Sequence, residues 1–535
     1  MIKIKIRLIK RIQTYFKAQE TRKSFGLLFV ICLLGLGMKY FQVWQSSVPF
    51  TYDQGRDLLD VRKMWLSKRP SLIGPTTSLH GVFYGPFWYW LILPFYVVLK
   101  GHPLSGLGAL WSLSTIVPII FWFLARDKDK SLWFILAFAL TNPFFQNANH
   151  ALNSHPLIYL YPLIFILVTR FLREKKLLYL GSAFFCLGAG FHFNFVGAGF
   201  LTMGILVSLL ILRGIKLKKG FLKKWGTALF SFSLPFFPQL VFDFRHQFIQ
   251  TKTFLKVFSG DTGSLMNLSP SLKDRFFVWK KILEINQGAQ SPILNLVFLA
   301  LVLLTALALF KKRNFQDEPS RLFLVSLIAN LTTFGCILVA PFELWGWYLS
   351  SIRAGVVFLN LASVYWLLNY QKKQAVFLSS FLVLWLGWSI WNLNLWPLGK
   401  RPPADPANLR LRLSVVEQIY QDNQGEGLNV YSFAPHVYDY PYQYLIWYLG
   451  KERYGYLPEE YVYLPNKPDY VAAKNQADLS LPRPEAQANY LIIEPFGGQE
   501  DWYINWRGSF GQAQETWQIG ETRIERVSLK KNDKI

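Results

Sequence analysis

The sequence predicts an all-α polytopic membrane protein of about 11 transmembrane helices, followed by a small mixed α/β domain outside the membrane. Three observations support this fold class. Apolar residues make up 52% and charged residues 17% of the 535 residues, against about 25% charged in an average soluble protein. Apolar stretches of about 20 residues, the length that crosses a bilayer, recur between residues 25 and 395. After residue 396 the apolar stretches become short and polar residues interrupt them.

The membrane part starts after a basic N-terminal segment, residues 1–24. The stretch 25–45 is predicted to be an uncleaved first span, because no small-residue cleavage site follows it. Further stretches of spanning length lie at 106–125, 131–148, 156–173, 177–195, 196–213, 225–243, 292–310, 321–341, 352–369 and 375–395.

One more apolar stretch, 82–99, decides the topology. If it crossed the membrane, the Lys/Arg-rich loops after it would face opposite the basic N-terminus; if it does not cross, they share that side, as the positive-inside rule requires. Gly85, Pro86 and Pro94 also interrupt the stretch, which favours a re-entrant or interfacial helix pair. The sequence therefore predicts a membrane domain at 25–395, with a cytoplasmic N-terminus and a first outer loop at 46–105.

The distribution of charge separates the membrane part from the C-terminal domain. Residues 401–535 carry a net charge of −4, whereas residues 1–400 carry +29. The basic excess thus belongs to membrane loops, where Lys and Arg set orientation and attract lipid headgroups. Membrane lipids are predicted partners and nucleic acid is not. Strand-like runs at 428–433 and 490–493 predict a mixed α/β extracytoplasmic domain at 396–535, with rings at 438–440 as candidates for sugar stacking.

Acids are few in the first 400 residues, and each is informative because a charge at the bilayer centre costs about 2.5–3.5 kcal/mol. Six lie beside cytoplasmic Lys and Arg and are predicted to be solvated loop charges: Glu20, Asp127, Asp129, Glu174, Asp317 and Glu318. The other eight are predicted to face outside and to supply any acid–base chemistry there: Asp53, Asp57, Asp60, Asp243, Asp261, Asp274, Glu284 and Glu343.

The densest polar cluster follows the first span directly. Asp53, Arg56, Asp57 and Asp60 recur at helical spacing, so their side chains fall along one face. On this pattern alone, an interfacial helix with i,i+3 and i,i+4 ion pairs explains the cluster. The next segment, His80-Gly-Val-Phe-Tyr-Gly-Pro86, places His and Tyr at a Gly/Pro turn before the broken apolar hairpin.

Residues Tyr52-Asp-Gln-Gly-Arg-Asp57 and 80–86 resemble the first outer loop of GT-C glycosyltransferases, the superfamily of protein O-mannosyltransferases and lipid A aminoarabinose transferases. The resemblance covers the topology of residues 20–395. In that family an acid just after the first span is catalytic, which implies Asp53 as the catalytic base and Asp57 as the alternative. It also implies that the neighbouring polar side chains bind substrate, namely Arg56, His80 and Tyr84.

Three further outer segments supply candidate substrate-binding residues. Family members often place a second acid in the second outer loop; this sequence has none there, and its histidines and asparagines either bind substrate or cap a span. Asp243 and Arg245 form either an ion pair or part of the site, and Arg353 is a candidate phosphate ligand. The full set of these candidates is His150, Asn153, His155, Asp243, Arg245, Glu343 and Arg353.

The implied reaction is inverting transfer of a sugar from a polyprenyl phosphate to a hydroxyl of a glycan, lipid or protein, at the outer face of the bacterial inner membrane. One carboxylate suffices as base because the departing phosphate is stable as an anion, and Arg and Lys neutralise it. No cofactor is predicted, and the residues give no support for a divalent metal. Two alternatives stay open: a transporter or lipid-glycan flippase without transferase activity, and an O-antigen polymerase or ligase that uses a diphosphate-linked glycan.

Overall fold

A computed structural model describes residues 19–45, 48–77, 79, 81–124, 150–212, 220–259, 272–285, 292–313, 315–340, 344, 346–370, 406–434, 439–465 and 481–528. The predicted spans at 131–148 and 375–395 lie outside these residues, as do His80, Glu343 and most of the basic N-terminal segment.

The apolar part of the chain forms a bundle of helices with these bounds: α1 (Gln19–Gln45), α2 (Tyr52–Ser67), α3 (Phe87–Val98), α4 (Ser105–Leu124), α5 (Pro156–Glu174), α6 (Leu177–Phe191), α7 (Phe195–Ile211), α8 (Phe221–Ser233), α9 (Phe237–Arg245), α10 (Ile249–Phe258), α11 (Leu272–Ile285), α12 (Pro292–Lys312), α13 (Glu318–Val339) and α14 (Gly346–Tyr370). A 3₁₀ turn at Leu234–Phe236 joins α8 to α9, where Pro235 and Pro238 lack the N–H that an uninterrupted α-helix needs.

The predicted spans that lie in the described residues are helical, and the span at 225–243 is divided between α8 and α9 by the 3₁₀ turn. Four helical stretches among these residues are long and apolar enough to cross a membrane: Pro156–Glu174, Phe221–Arg245, Glu318–Val339 and Tyr348–Tyr370. The predicted helical architecture, with apolar helices of spanning length, is therefore confirmed. The count of eleven spans is not confirmed, because two predicted spans fall outside the described residues.

Helix α5 is the centre of the bundle, and nearly all of its side chains are buried. At its C-terminal end Arg170 Nε lies 2.9 Å from Glu318 Oε1 at the start of α13, and Arg173 also pairs with this carboxylate. The prediction that Glu318 is a solvated loop charge is wrong: the side chain is 4% exposed. A buried acid is tolerated there because the neighbouring helix supplies guanidinium partners.

The hairpin helix α3 is too short to cross a membrane. Its 12 residues extend about 18 Å at 1.5 Å per residue, against a hydrocarbon core of about 30 Å. The segment before α3 and the segment after it both contact the C-terminal domain, since Phe50 N donates to Ala407 O at 2.7 Å and Gly101 O accepts from Tyr444 Oη at 2.5 Å.

The C-terminal domain is a five-stranded mixed sheet with helices packed against it. In chain order it contains α15 (Leu409–Asn423), β1 (Leu428–Phe433), α16 (Tyr440–Leu449), β2 (Glu460–Val462), β3 (Ala488–Ile493), α17 (Glu500–Gly508), β4 (Ala513–Ile519) and β5 (Thr522–Val527). The strand order is β2-β1-β3-β5-β4, with β1 parallel to β2 and β3, and β5 antiparallel to both its neighbours. Both predicted strands are confirmed as β1 and β3.

A buried ion pair fixes this domain to the chain that follows α1. Arg412 Nη2 on α15 lies 2.7 Å from Glu494 Oε1, and the same guanidinium donates to the carbonyl of Phe50. Tyr442 Oη donates to Glu494 at 2.8 Å, and Leu409 N donates to Val48 O at 2.8 Å. The N-terminal end of α2 is therefore positioned by residues about 360 positions later in the chain.

Candidate functional site

The candidate site is built on the first turn of α2, which begins directly after the contact with the C-terminal domain. The Gln54 side chain accepts the N–H of Thr51 at 2.6 Å and donates to Pro49 O at 2.9 Å. These bonds satisfy groups that a helix start otherwise leaves unpaired. They fix the direction in which the following acidic residues point.

Arg56 links the two candidate catalytic acids. Its Nη1 lies 3.0 Å from Asp53 Oδ1, and its Nη2 lies 2.8 Å from Asp57 Oδ1. The carboxylates differ in exposure: the Asp53 side chain is 42% exposed and that of Asp57 is 2% exposed. The helical face predicted from spacing is present, and of these two carboxylates Asp53 is the one accessible to a substrate.

Two side chains of α3 donate hydrogen bonds to acids on α2. Trp88 Nε1 donates to Asp57 Oδ2 at 2.8 Å, and Tyr89 Oη donates to Asp60 Oδ2 at 2.8 Å. Burial raises the pKa of the Asp57 carboxyl to about 6, although Arg56 and Trp88 lower it. Burial also raises the pKa of Asp60. Helix α3 therefore donates a hydrogen bond to each of these two acids of α2.

The C-terminal domain meets the same turn of α2. A Cβ added at Gly55 would lie 2.6 Å from Pro441 N and 2.7 Å from Tyr440 C at the start of α16. The Tyr440 ring lies 5.1 Å from the Tyr52 ring, centroid to centroid. The ring of Tyr440 was predicted as a candidate for sugar stacking, whereas the close approach at Gly55 was not predicted. A glycine inside a helix costs about 1 kcal/mol relative to alanine, so its presence in α2 is a signal of close packing.

The Tyr84 side chain lies on the segment before α3. Burial raises the pKa of Tyr84; Tyr348 and the charge of Asp53 raise it further, and Arg56 lowers it. The Tyr84 ring stacks on Phe195 with centroids 4.7 Å apart. Tyr84 therefore lies within electrostatic reach of both Asp53 and Tyr348 at the start of α14.

The second predicted loop contributes His150. Burial lowers the pKa of His150, and the charge of Asp53 opposes that shift. His155 is buried, its Nδ1 lies 2.7 Å from His150 O, and burial lowers its pKa to about 3. Asn153 Nδ2 donates to Phe193 O at 3.2 Å. The charge of Asp53 therefore acts on His150, whereas Asn153 and His155 bond to the backbone.

The Asp243 carboxylate accepts hydrogen bonds from the first turn of α10 rather than pairing with Arg245. Its carboxylate accepts the N–H of Gln250 at 2.8 Å and that of Thr251 at 3.2 Å, both in the first turn of α10. Arg245 is exposed. The Gln250 side chain in turn accepts the N–H of Phe83 at 3.1 Å, so this corner supports the segment that carries Tyr84.

Arg353 lies in the second turn of α14 and is half-buried. Its Nε is buried without a hydrogen-bond partner, and no ion pair joins it to another residue of the described ranges. Two other candidates, His80 and Glu343, lie outside those ranges. Within the described part of the chain, no three His, Cys, Asp or Glu side chains come together as a metal site.

Comparison with solved structures identifies the fold. The crystal structure of ArnT from Cupriavidus metallidurans in the apo state matches with a TM-score of 0.54 and 12% identity, over 94% of this chain and 98% of ArnT. The structure of ArnT from the same organism bound to undecaprenyl phosphate matches with a TM-score of 0.53 and 11% identity, over the same shares. No protein-family model and no curated protein sequence matches. The chain has the fold of ArnT, a lipid A aminoarabinose transferase, and the predicted GT-C-like fold is confirmed.

Proposed function

We propose that this protein is a membrane glycosyltransferase that moves a sugar from a polyprenyl-phosphate donor to an acceptor hydroxyl on the outer face of the inner membrane. The observation that supports the proposal best is the accessible carboxylate of Asp53, held by Arg56 where the membrane helices meet the C-terminal domain. A protein of the same fold has been crystallised with undecaprenyl phosphate.

Asp53 is the proposed general base. The acceptor oxygen attacks the anomeric carbon while its proton passes to Asp53, and the bond from that carbon to the phosphate oxygen breaks. The phosphate leaves as an anion, so no strong general acid is required, and a single displacement inverts the anomeric centre. Asp57 is buried and already accepts bonds from Arg56 and Trp88. Its proposed role is to hold Arg56 in place.

Arg353 is the proposed ligand of the donor phosphate. Arg56 is committed to two carboxylates, whereas Arg353 has no ion pair within the described ranges. A guanidinium matches the geometry of a phosphate and keeps its positive charge at all pH values of interest. Because the leaving phosphate gains charge during the reaction, the same cation would stabilise the transition state more than the bound donor.

The proposed location at the outer face follows from the course of the chain around α3. Both ends of the segment at 48–103 contact the C-terminal domain, so α3 enters and returns on one side. With α3 returning, the basic loops share the side of the N-terminus, as the positive-inside rule requires. The C-terminal domain would then cover the acceptor side of the site, with Tyr52 and Tyr440 as its aromatic wall.

Transfer by the purified full-length protein tests this proposal. The protein is reconstituted in proteoliposomes with radiolabelled undecaprenyl-phosphate sugars, and membranes of a strain lacking the protein supply the acceptor. Asp53→Asn should reduce turnover at least 100-fold, on the scale of a lost general base, about 10²–10⁴-fold. Donor binding should be nearly unchanged, because the amide keeps the size of the carboxylate.

Asp60→Asn is the matched control. Asp60 lies on the same helix as Asp53, and the amide oxygen of the substituted asparagine can still accept the hydrogen bond from Tyr89. It should retain most of the activity. Normal turnover in Asp53→Asn would refute the assignment of the base. Movement of the labelled lipid across the bilayer without any transfer by the wild-type protein would favour the flippase alternative instead.

A further inference from the structure

The chain before α3 forms a small hairpin that is closed by backbone hydrogen bonds. Tyr84 N donates to Pro75 O at 2.9 Å, and Gly74 N donates to Tyr84 O at 2.8 Å. Successive residues of an antiparallel pair direct their backbone groups to opposite sides, so the N–H and C=O of Phe83 face away from the hairpin. Backbone groups in such a position need partners from elsewhere in the protein.

Two glutamine side chains, which we call the glutamine pair, supply these partners. Gln250 Oε1 accepts the N–H of Phe83 at 3.1 Å, and Gln239 Nε2 donates to Phe83 O at 3.1 Å. Gln250 is buried, and its own N–H donates to the Asp243 carboxylate at 2.8 Å. Neither glutamine is among the candidates predicted from the sequence, because their partner lies 156 and 167 positions earlier in the chain.

Tyr84 follows Phe83 and is fixed by two further contacts. Its ring stacks on Phe195 with centroids 4.7 Å apart. A Cβ added at Gly85 would overlap the His192 ring, so the chain directly after Tyr84 packs on the end of α6. Among the described residues, none forms a hydrogen bond with the Tyr84 hydroxyl. This half-buried side chain therefore offers a ligand a hydroxyl on a ring whose position is fixed.

Tyr84 is near both halves of the proposed site. It lies within electrostatic reach of Asp53 and of Tyr348 at the start of α14. Arg353 follows Tyr348 by five positions on α14, about 7.5 Å along the helix axis. In the proposed reaction the transferred sugar lies between the acceptor oxygen at Asp53 and the phosphate at Arg353. A donor bound in this way brings its sugar to Tyr84.

We propose that Gln239 and Gln250 are positioning residues of the donor-sugar site. By binding both backbone groups of Phe83, they hold Tyr84 where its hydroxyl donates a hydrogen bond to an oxygen of the transferred sugar. This inference rests on the proposed function and deepens it. Arg353 would bind the phosphate of any polyprenyl-phosphate lipid, whereas Tyr84 distinguishes a sugar donor from the bare lipid phosphate. A side chain that is already fixed loses less conformational entropy when it binds.

Binding of two kinds of lipid to the full-length protein separates sugar recognition from phosphate recognition. The probes are undecaprenyl phosphate and undecaprenyl-phosphate hexoses that carry glucose, galactose or mannose. The wild type should bind at least one hexose lipid more tightly than undecaprenyl phosphate. Tyr84→Phe should lower that affinity about 2- to 12-fold, on the scale of one neutral hydrogen bond, and should leave undecaprenyl phosphate binding unchanged. Arg353→Ala should weaken the binding of both lipids.

A double-variant comparison tests whether the glutamine pair acts through Tyr84. Gln250→Met removes the acceptor of the Phe83 N–H and should lower the hexose-lipid affinity by no more than Tyr84→Phe does. In the Tyr84→Phe background it should have no further effect, because both changes remove the same interaction. Gln250→Glu keeps an acceptor oxygen and should retain binding. Gln247→Met, at an exposed glutamine three positions earlier, is the control and should bind both lipids normally.

Amide hydrogen exchange gives a second readout that needs no ligand. Gln250→Met should speed exchange at Phe83, because its N–H has lost its partner, whereas Gln250→Glu and Gln247→Met should not. Unchanged exchange at Phe83 in Gln250→Met would contradict the role of the glutamine pair. If Gln250→Met does not fold, Gln239→Met takes its place in the double-variant comparison.

Three binding results would overturn the proposal. Equal affinity of the wild type for undecaprenyl phosphate and for every hexose lipid would exclude a sugar contact of this kind. Unchanged hexose-lipid affinity in Tyr84→Phe would show that the hydroxyl does not bind the sugar. Additive losses in the double variant would show that Gln250 does not act through Tyr84. Selective binding of a hexose lipid by a wild-type protein that transfers no sugar would refute the proposed function and support the sugar site.

Discussion

Gly55→Ala is expected to separate α2, which carries the proposed base Asp53, from the C-terminal domain. The added Cβ would lie 2.6 Å from Pro441 N, and ordinary van der Waals contact starts at 3.4 Å, so α2 and α16 must move apart by about 0.8 Å. Overpacking of this kind costs about 1–3 kcal/mol, and the better helix propensity of alanine returns about 1 kcal/mol. The net loss of stability should therefore be about 0–2 kcal/mol. A displacement near 1 Å at a reacting group, however, lowers turnover by about 100-fold.

The assay compares sugar transfer and thermal unfolding of Gly55→Ala with those of Gly199→Ala. A Cβ at Gly199 on α7 meets nothing within 4 Å, so this control should keep full transfer and equal or slightly higher stability. Gly55→Ala should lose turnover far more than stability. If it transfers sugar at the normal rate, the contact with α16 does not position Asp53, and the role proposed for the C-terminal domain is wrong.

Three other substitutions test separate parts of the site. Trp88→Phe removes the N–H that lowers the pKa of Asp57, so this pKa should rise above about 6. The acid limb of the pH–rate profile should then move to higher pH. An unmoved limb would show that activity does not require Asp57 to be ionised. Arg353→Ala should weaken donor binding by tenfold or more, on the scale of about 1.5–3 kcal/mol for a charged hydrogen bond; equal affinity in a lipid-binding titration would assign the phosphate to another cation. Arg412→Met leaves Glu494 buried without its ion pair, and loss of one partner of a buried pair lowers the free energy of unfolding by about 3–5 kcal/mol. The midpoint of thermal unfolding should therefore fall. An unchanged midpoint would contradict the stabilising role of this ion pair.

Local patterns predicted the elements of this protein well. The apolar runs of the spans and of β1 and β3 are properties of neighbouring residues, and the described elements match them closely. The spacing of Asp53 and Arg56 likewise predicted their i,i+3 ion pair on α2. The second partner of Arg56 is its neighbour Asp57, and Asp60 accepts a bond from Tyr89 of α3. These predictions succeed because helical periodicity acts within a few residues.

Burial of individual acids could not be predicted in the same way. Spacing makes Asp53 and Asp57 equivalent, and the difference between them arises from Trp88, which lies 31 residues later. Asp243 stands two residues from Arg245, yet its partners are the amides of α10, because the chain turns back after α9. Glu318 is a third example, because its guanidinium partners lie on α5, far away in sequence. Such pairings depend on tertiary contacts that a single sequence does not encode locally.

The long sequence separation of the interdomain contacts has a consequence for synthesis. Phe50 is joined to a residue 362 positions later, and Gly101 to one 343 positions later. At about 5–20 residues per second, α2 and α3 wait about 20–70 s on the ribosome before their partners emerge. During this interval the surface of α2 around Gly55 is not covered by α16. The nascent chain is therefore expected to need protection of this surface by the insertion machinery, and proteins shortened before α15 should be degraded even when all their membrane helices have been inserted.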